Sequence, residues 1–285
     1  MAQLILGKEV NKKITAELEK RSNELKWRGI TPCLAVLRVG EDPSDLAYER
    51  TATKRAESLG IETKRFLLPD NSLQEDLEAT VLAINEDPDI HGCLLFRPLP
   101  AFFDEKAICN ALDPRKDIDG ISQLSLGSIF TGEGEGYAPC TAAACVATLE
   151  AYDVPLDGKN VVIIGRSLVV GRPLSIMLLR RDATVTICHS HTRNLAEISR
   201  SADVVVCATG RPRGFGAEYF SAGQTVLDVG INFDDEGNVC GDVNFDEVEP
   251  LVDAITPVPR GIGSVTTTML MAHLLSAAER LSEEV

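Results

Sequence analysis

The residues with the most distinctive chemistry lie in Lys159–Pro173, KNVVIIGRSLVVGRP. A β-branched run, Val161–Ile164, has the character of a strand buried on both faces, and it stops at Gly165. Arg166 and Ser167 follow inside the turn, and Gly171 allows close backbone approach where a helix is about to begin. Free N–H groups at such a helix start, with a guanidinium beside them, suit a phosphate-bearing nucleotide. The spacing is not G-x-G-x-x-G, because five residues separate the two glycines. A strand-to-helix turn that needs glycine only for its own backbone has the same signature.

The end of the next strand, Thr184–Cys188, points to the kind of nucleotide. A site for NAD normally places Asp or Glu there, about 20 residues past the glycines, to hold the ribose 2′-hydroxyl. This chain continues His189-Ser190-His191-Thr192-Arg193, with no carboxylate. A 2′-phosphate would meet Arg166, Ser190 and Arg193 through charge-assisted hydrogen bonds, so NADP is the expected cofactor. Both arginines have a plain reading as solvated surface charges, which suits Arg193 better than Arg166, sited inside a phosphate-type turn. Thr209-Gly210 and Gly230-Ile231 fall at the ends of two further strands and complete the expected cofactor set.

Three groups in the first half of the chain have chemical potential. Tyr48 sits in the second turn of an expected helix, Ser44–Leu59, which has Asp42 and Ser44 as capping candidates and Gly60 as its stop. Arg97-Pro98-Leu99-Pro100 follows a buried strand and offers an apolar ledge for a flat ligand. Lys116-Asp117-Ile118-Asp119-Gly120 forms an acidic turn. Each also has a plain reading as a half-buried tyrosine, a strand terminator or a simple turn.

Elements alternate in a way that implies α/β architecture with parallel sheets. The first unit reads as helix Gly7–Arg28, strand Cys33–Val39, helix Ser44–Leu59, strand Glu62–Leu68, helix Leu73–Glu86 and strand Gly92–Phe96. Ser122–Gly136 is glycine-rich and polar and reads as a long connection at a domain boundary. Helix Thr141–Tyr152 follows, then strands at Val161–Ile164, Thr184–Cys188, Val204–Ala208 and Thr225–Val229, interleaved with helices Leu174–Arg180 and Asn194–Ser199. These strands predict a four-stranded doubly wound sheet whose ligand lies at the carboxyl ends. The last helix, Thr266–Leu281, is expected to pack back on the first domain. Residues 1–122 with 266–285 therefore form one expected domain and residues 137–265 the other.

The 285 residues carry a formal net charge of −15, which argues against nucleic acid as a general partner. No run is long enough for a membrane helix and no signal peptide is evident, so a cytoplasmic protein with no membrane partner is expected. Eight cysteines are scattered without C-x-x-C or paired metal-ligand spacing, so no metal site is expected. Cys140, at a helix start, is either a thiol of lowered pKa or a core residue, and packing is the preferred reading because no base is near in sequence.

In order, Tyr48, PLP at Pro98–Pro100, KDIDG at Lys116–Gly120, PCT at Pro139–Thr141, GRSLVVGRP at Gly165–Pro173, TVTICHSHT at Thr184–Thr192, DVGIN at Asp228–Asn232, GDV at Gly241–Val243 and TPVPRGIG at Thr256–Gly263 form a recognisable series. The chain resembles the methylenetetrahydrofolate dehydrogenase/cyclohydrolase family over essentially its whole length. The resemblance implies a homodimer of two-domain subunits, with a tetrahydrofolate derivative in the interdomain cleft and NADP on a Rossmann-like second domain. It implies that Tyr48 stacks on the aminobenzoyl ring and Asp119 bonds the pterin amino edge, both as catalytic-site residues. Pro98, Leu99, Pro259 and Gly261 would line the substrate, and Gly165, Arg166, Ser167, Gly171, Ser190, Thr209, Gly210 and Ile231 the cofactor.

Two departures bear on activity. Bifunctional members of the family resembled carry lysine four residues after the tyrosine, where this chain has Ala52, and a glutamine partner where it has Phe96. Lys54 is six residues from Tyr48 and points about 120° away around a regular helix, whereas position 52 is only about 40° away. Hydride transfer needs positioning, but hydrolysis needs proton shuttling. The expectation is a dehydrogenase with weak or absent cyclohydrolase activity, and a separate cyclohydrolase to complete the pathway. A bifunctional enzyme using Lys54 or Arg97 instead, and a folate- or NADP-binding protein without turnover, are the alternatives. Arg97 and Arg260 also depart from the pattern, Arg97 replacing an apolar residue and Arg260 the first glycine of PVPGGVG; against the family resembled, an arginine at either place would contact the folate's glutamate tail or narrow the pterin pocket, and Arg260 reads also as a residue facing solvent.

Overall fold

The computed structural model describes residues 1–283. Its elements run β1 (Gln3–Leu4), α1 (Gly7–Trp27), β2 (Cys33–Val39), α2 (Pro43–Ser58), β3 (Glu62–Leu68), α3 (Gln74–Glu86), β4 (Gly92–Leu95), α4 (Glu105–Ala111), α5 (Gln123–Thr131) and α6 (Cys140–Ala151). They continue β5 (Asn160–Ile164), α7 (Gly171–Leu179), β6 (Thr184–Cys188), α8 (Leu195–Arg200), β7 (Val204–Cys207), β8 (Thr225–Asp228), β9 (Asn232–Phe233), β10 (Val239–Cys240), α9 (Phe245–Val248), β11 (Ala254–Ile255) and α10 (Thr266–Glu283). Two compact units result, one from Met1–Lys13 with Thr141–Thr266, the other from Ile14–Cys140 with the C-terminal residues from Thr267. No helix among the described residues is long and apolar enough to cross a membrane.

The unit beginning at Ile14 is built on a three-stranded parallel sheet in the order β3-β2-β4. Every residue of β2 and β4 is buried, as expected of strands covered on both faces. One face packs Leu34, Val36 and Leu94 against Leu270, Leu274, Leu275 and Ala278 of α10, so the last helix joins this unit. The other face packs Ala35, Leu37 and Leu95 against Leu77, Val81 and Ile84 of α3. Helix α2 starts where Asp42 accepts the Ser44 N–H at 2.8 Å, and it is pinned by a buried carboxylate. Glu49 accepts from Arg38 of β2 at 3.2 Å and Arg65 of β3 at 2.8 Å. That grip fixes the rotation of α2 and hence the direction of its neighbour Tyr48.

The other unit holds six parallel strands in the order β1-β11-β8-β7-β5-β6, with a small antiparallel pair β10-β9. Sequence reading found four of the six, because β1 and β11 are two residues each and too short to show alternation. β1 pairs with β11, Gly7 N–H donates to the Arg260 carbonyl, and the Leu6 N–H donates to the Tyr152 hydroxyl. By these contacts the first 13 residues pack in the unit of the six-stranded sheet.

The expected connection Ser122–Gly136 contains helix α5. Its limits were written in the sequence: Ser122 Oγ accepts the Ser125 N–H at 3.1 Å, and Gly132 closes the helix in the left-handed conformation at φ 83°. Glycine and serine inside the segment masked the helix. α7 begins at Gly171, three residues before the expected start, and α4 had been overlooked behind its cap Asp104. All eight cysteines are buried and free.

Candidate active site

At the carboxyl ends of β5, β6 and β7 a cavity of about 310 Å³ is lined by Gly165, Arg166, Ser167, His189, Ser190, Thr209 and Arg211, among others. The two glycines of the turn are demanded by its own backbone. A Cβ on Gly165, at φ 138°, would sit 2.1 Å from the Ala208 carbonyl oxygen, and one on Gly171 would sit 2.1 Å from that of Gly165. The close approach expected of Gly171 is thus to its own turn, and Gly171 supports the cavity without lining it. Ser167 Oγ accepts the Val170 N–H at 3.1 Å, which shapes the loop ahead of α7.

Arg166 and Ser190 are exposed at the cavity, while Arg193 is not among its lining residues. The lining contains no carboxylate. Arg211, passed over in the sequence, adds a second guanidinium and lies 5.9 Å over the Phe215 ring. Its signal was simply a basic residue directly after the Thr209-Gly210 strand end.

A buried carboxylate organises the rim. Asp242 accepts hydrogen bonds from Thr209 N–H at 2.5 Å, Thr209 Oγ1 at 2.9 Å, Gly210 N–H at 3.2 Å, Arg211 N–H at 3.0 Å and Asn232 Nδ2 at 2.9 Å. The donors of Thr209 and Gly210 are therefore committed inside the protein, and these residues give the cavity its shape. Asp228 accepts from the N–H groups of Gly230, Asp242 and Val243, and burial pushes its carboxyl up to about 7. Ile231, exposed beyond Gly230, lines a separate cavity of about 280 Å³ together with Pro259 and Gly261.

In the other unit the acidic turn divides its labour. Lys116, almost wholly buried, donates to the carbonyls of Ile84, Asn85 and Asp87 and so closes the C-terminal end of α3. Asp117 accepts from Ile121 N–H, Ser122 N–H and Ser125 Oγ. A Cβ on Gly120 would meet backbone atoms of Tyr137 and Pro139 at 2.5 Å, so the turn is held rigidly. Asp119 is the carboxylate left over. Burial pushes its carboxyl up to about 6, with Cys140 hydrogen bonds and the Arg97 charge acting in the opposite direction.

Tyr48 is half-buried, with its ring centroid 6.0 Å from that of Phe96 at an interplanar angle of 74°. Ala52 and Phe96 are both buried in the apolar cluster against which Tyr48 packs. Arg97 leaves the cluster toward Glu105, at 3.7 Å. Pro98 is exposed, whereas Leu99 is buried in the core beneath and its N–H donates to Glu105 at 2.8 Å. Folding also brings His273 within 3.7 Å of the Cys140 sulfur, a neighbour that sequence distance concealed. His273 Nδ1 lies 2.9 Å from the Ile118 carbonyl, and burial holds the Cys140 thiol well above its ordinary value, so this thiol is packed and protonated.

Residues 5–119 match the model of the tetrahydrofolate dehydrogenase/cyclohydrolase catalytic domain, and residues 139–282 match its NAD(P)-binding domain. The chain belongs to the tetrahydrofolate dehydrogenase/cyclohydrolase family. A protein of Clostridium botulinum named bifunctional protein FolD is 47% identical over 99% of this chain and 100% of its own length. The crystal structure of the bifunctional methylenetetrahydrofolate dehydrogenase/cyclohydrolase FolD from Campylobacter jejuni is 36% identical with a TM-score of 0.95, covering 98% of this chain and 99% of that one. The corresponding Trypanosoma brucei enzyme, solved with NADP cofactor and an inhibitor, is 34% identical with a TM-score of 0.92, covering 100% and 99%.

Within the tetrahydrofolate dehydrogenase/cyclohydrolase family frame, the cavity at Gly165 falls in the NAD(P)-binding domain and the Tyr48, Phe96 and Asp119 group in the catalytic domain. Glu49 and Asp242 escaped sequence reading as positioning residues. Neither carries a local signal, since each acts through partners distant in the chain.

Proposed function

We propose that this protein is an NADP-dependent methylenetetrahydrofolate dehydrogenase that has little or no cyclohydrolase activity. The observation that carries the second half is the pair Ala52 and Phe96, both buried in one apolar cluster beside Tyr48. In the family resembled, bifunctional members place lysine and glutamine at these positions. Lys54 is exposed and does not replace them. The relatives bear the name bifunctional, and that property is theirs.

When bound, NADP supplies the hydride acceptor that takes the methylene carbon from methylene to methenyl oxidation level. The residues present fit it: Arg166, Ser190 and Arg211 would receive a 2′-phosphate that no lining carboxylate repels. Tyr48 would stack on the substrate's aminobenzoyl ring, and Asp119 would accept from the pterin amino edge. Pro98, above the buried Leu99, would support that ring system, with Pro259 and Gly261 beside the pterin. Such positioning suffices for hydride transfer. Hydrolysis needs a group that moves protons at the attacking water, and neither a methyl group nor a phenyl ring does so.

The paired assay on one preparation tests this reading. NADPH should form from methylenetetrahydrofolate, while methenyltetrahydrofolate should decay at its spontaneous rate. Decay proportional to enzyme concentration would show a bifunctional enzyme, and binding of both ligands without NADPH formation would show a non-catalytic protein.

Cofactor choice gives a further expected result. Arg166→Ala should raise the KM for NADP by about tenfold or more, the loss of one charge-assisted contact, and leave that for NAD nearly unchanged. Equal losses for the two cofactors would remove Arg166 from the 2′-phosphate site.

The assembly is proposed to be a homodimer. β6 is the edge of the six-stranded sheet, Ile187 lies exposed on it, and Leu179 at the end of the preceding helix is 57% exposed. A second copy covering this edge would bury both. Sedimentation should give twice the subunit mass, and Ile187→Lys should shift it toward the monomer.

A further inference from the structure

His273 meets the acidic turn from α10. Its helix neighbours Leu270 and Leu274 are buried in one cluster with Leu34, Val36 and Leu94 of the three-stranded sheet, which sets the rotation of the helix. Gly92 lets helix and turn close on each other, since a Cβ there would sit 2.7 Å from side-chain atoms of both Ile118 and Leu274. The result is that His273 Nδ1 stands 2.9 Å from the Ile118 carbonyl oxygen. Burial pulls the imidazole pKa below its ordinary value, so the ring is neutral, and a carbonyl only accepts, so its one proton is on Nδ1.

The ring is held in that orientation. The Tyr137 ring packs against it with centroids 5.2 Å apart and planes 35° apart. The Arg280 guanidinium lies 4.4 Å over the Tyr137 ring and is itself tied down by the Glu135 carbonyl at 3.0 Å. Cys140 Sγ lies 3.7 Å from His273 Nδ1 and 3.4 Å from the same Ile118 oxygen. Because Nδ1 carries a proton of its own, it does not take the thiol hydrogen, which is left to the Ile118 oxygen and to the Asp119 carboxyl that Cys140 hydrogen-bonds.

The carbonyl of Ile118 shares one rigid peptide plane with the nitrogen and Cα of Asp119. A donor that holds the oxygen therefore fixes the plane from which the Asp119 side chain departs. On the other side Gly120 is wedged against backbone atoms of Tyr137 and Pro139. We propose that His273 is a positioning residue for the reaction: by holding the Ile118 carbonyl, its Nδ1–H keeps the Asp119 carboxylate aimed at the pterin amino edge. This rests on the folate reading of the site given above.

Three variants, assayed at pH 7.5, test it. His273→Leu keeps the bulk and removes the donor, His273→Asn returns an N–H to the place of Nδ1, and His273→Gln puts one a bond farther out. His273→Leu should raise the KM for methylenetetrahydrofolate about three- to tenfold, the worth of one hydrogen bond, and move kcat and the KM for NADP by less than about twofold. His273→Asn should bring the folate KM back to within about twofold of the unaltered protein, and His273→Gln should not. The deciding measurement is a double-mutant cycle with Asp119→Asn, in which His273→Leu should raise the folate KM no further. A histidine that only fills space would add its full loss in both backgrounds. Additive losses, an equal rise in the KM for NADP, recovery by glutamine as well as asparagine, or no change would each overturn the proposal. If His273→Leu does not fold, His273→Gln takes its place in the cycle.

Calorimetric titration with tetrahydrofolate, which needs no turnover, keeps the two readings apart. Tetrahydrofolate binding that shows the same non-additivity, without NADPH formation, would remove the dehydrogenase reading and sustain this one. NADPH formation with additive losses would do the reverse. Absence of tetrahydrofolate binding would remove both.

Discussion

The double variant Ala52→Lys with Phe96→Gln is expected to hydrolyse methenyltetrahydrofolate at least about 100-fold faster than the unaltered protein, the lower end of what a placed acid–base group contributes. Position 52 follows Tyr48 by one helical turn, and its side chain is completely buried beside Phe96. A lysine there loses hydration, which lowers its pKa toward the range useful for proton transfer. Phe96→Gln supplies the carbonyl oxygen that a buried ammonium needs. Ala52→Lys alone should therefore gain less activity and lose more stability than the pair, a coupling of about 1–3 kcal/mol in a double-mutant cycle. The decay of methenyl absorbance, followed with and without each variant, measures the gain. If the double variant folds, oxidises methylenetetrahydrofolate and still leaves methenyl decay at its spontaneous rate, Ala52 and Phe96 do not govern hydrolysis.

Where the sequence was legible, the reason was local. Val161–Ile164 ending at Gly165 announced a strand and turn because β-branched run, glycine and arginine are neighbours in the chain. Asp42 before Pro43 announced a helix start for the same reason. What stayed hidden depends on partners far apart. β1 exists because Gln3 and Leu4 meet Ala254 and Ile255, some 250 residues on, and two residues carry no periodicity. Asp242 enters the sequence reading only as the middle of GDV, and its role shows once the residues after β7 and Asn232 of β9 stand around it. The acidic turn gives no local reason to separate Lys116 and Asp117 from Asp119, and the fold supplies one: they are spent on α3 and on the α5 cap. The helix in Ser122–Gly136 is different: Ser122 and Gly132 cap it, and the glycine-rich, polar composition between and beyond them hides it.

Asp119 offers the second large effect, because its two roles pull in opposite directions. Burial pushes the carboxyl from 3.8 up to about 6, so the folded protein holds a proton there across an interval in which the unfolded chain has lost it. This group's contribution to stability is therefore full below about pH 4 and is lost as pH rises through about 6. Binding a pterin amino edge needs the other form, the ionised acceptor. The KM for methylenetetrahydrofolate should then be flat above about pH 6.5 and rise toward tenfold per pH unit below about 5.5, on either side of that carboxyl's titration. Asp119→Asn removes both behaviours. Its KM should be about 10- to 100-fold higher at pH 7.5, since a charge-assisted contact is replaced by a weaker one, and should no longer depend on pH between 5 and 8. Its melting temperature at pH 7.5 should equal or exceed that of the unaltered protein, because no charge is left to bury. A variant that lost folate affinity and stability together would assign Asp119 to the fold, and an unchanged acid limb in Asp119→Asn would place the titrating group elsewhere.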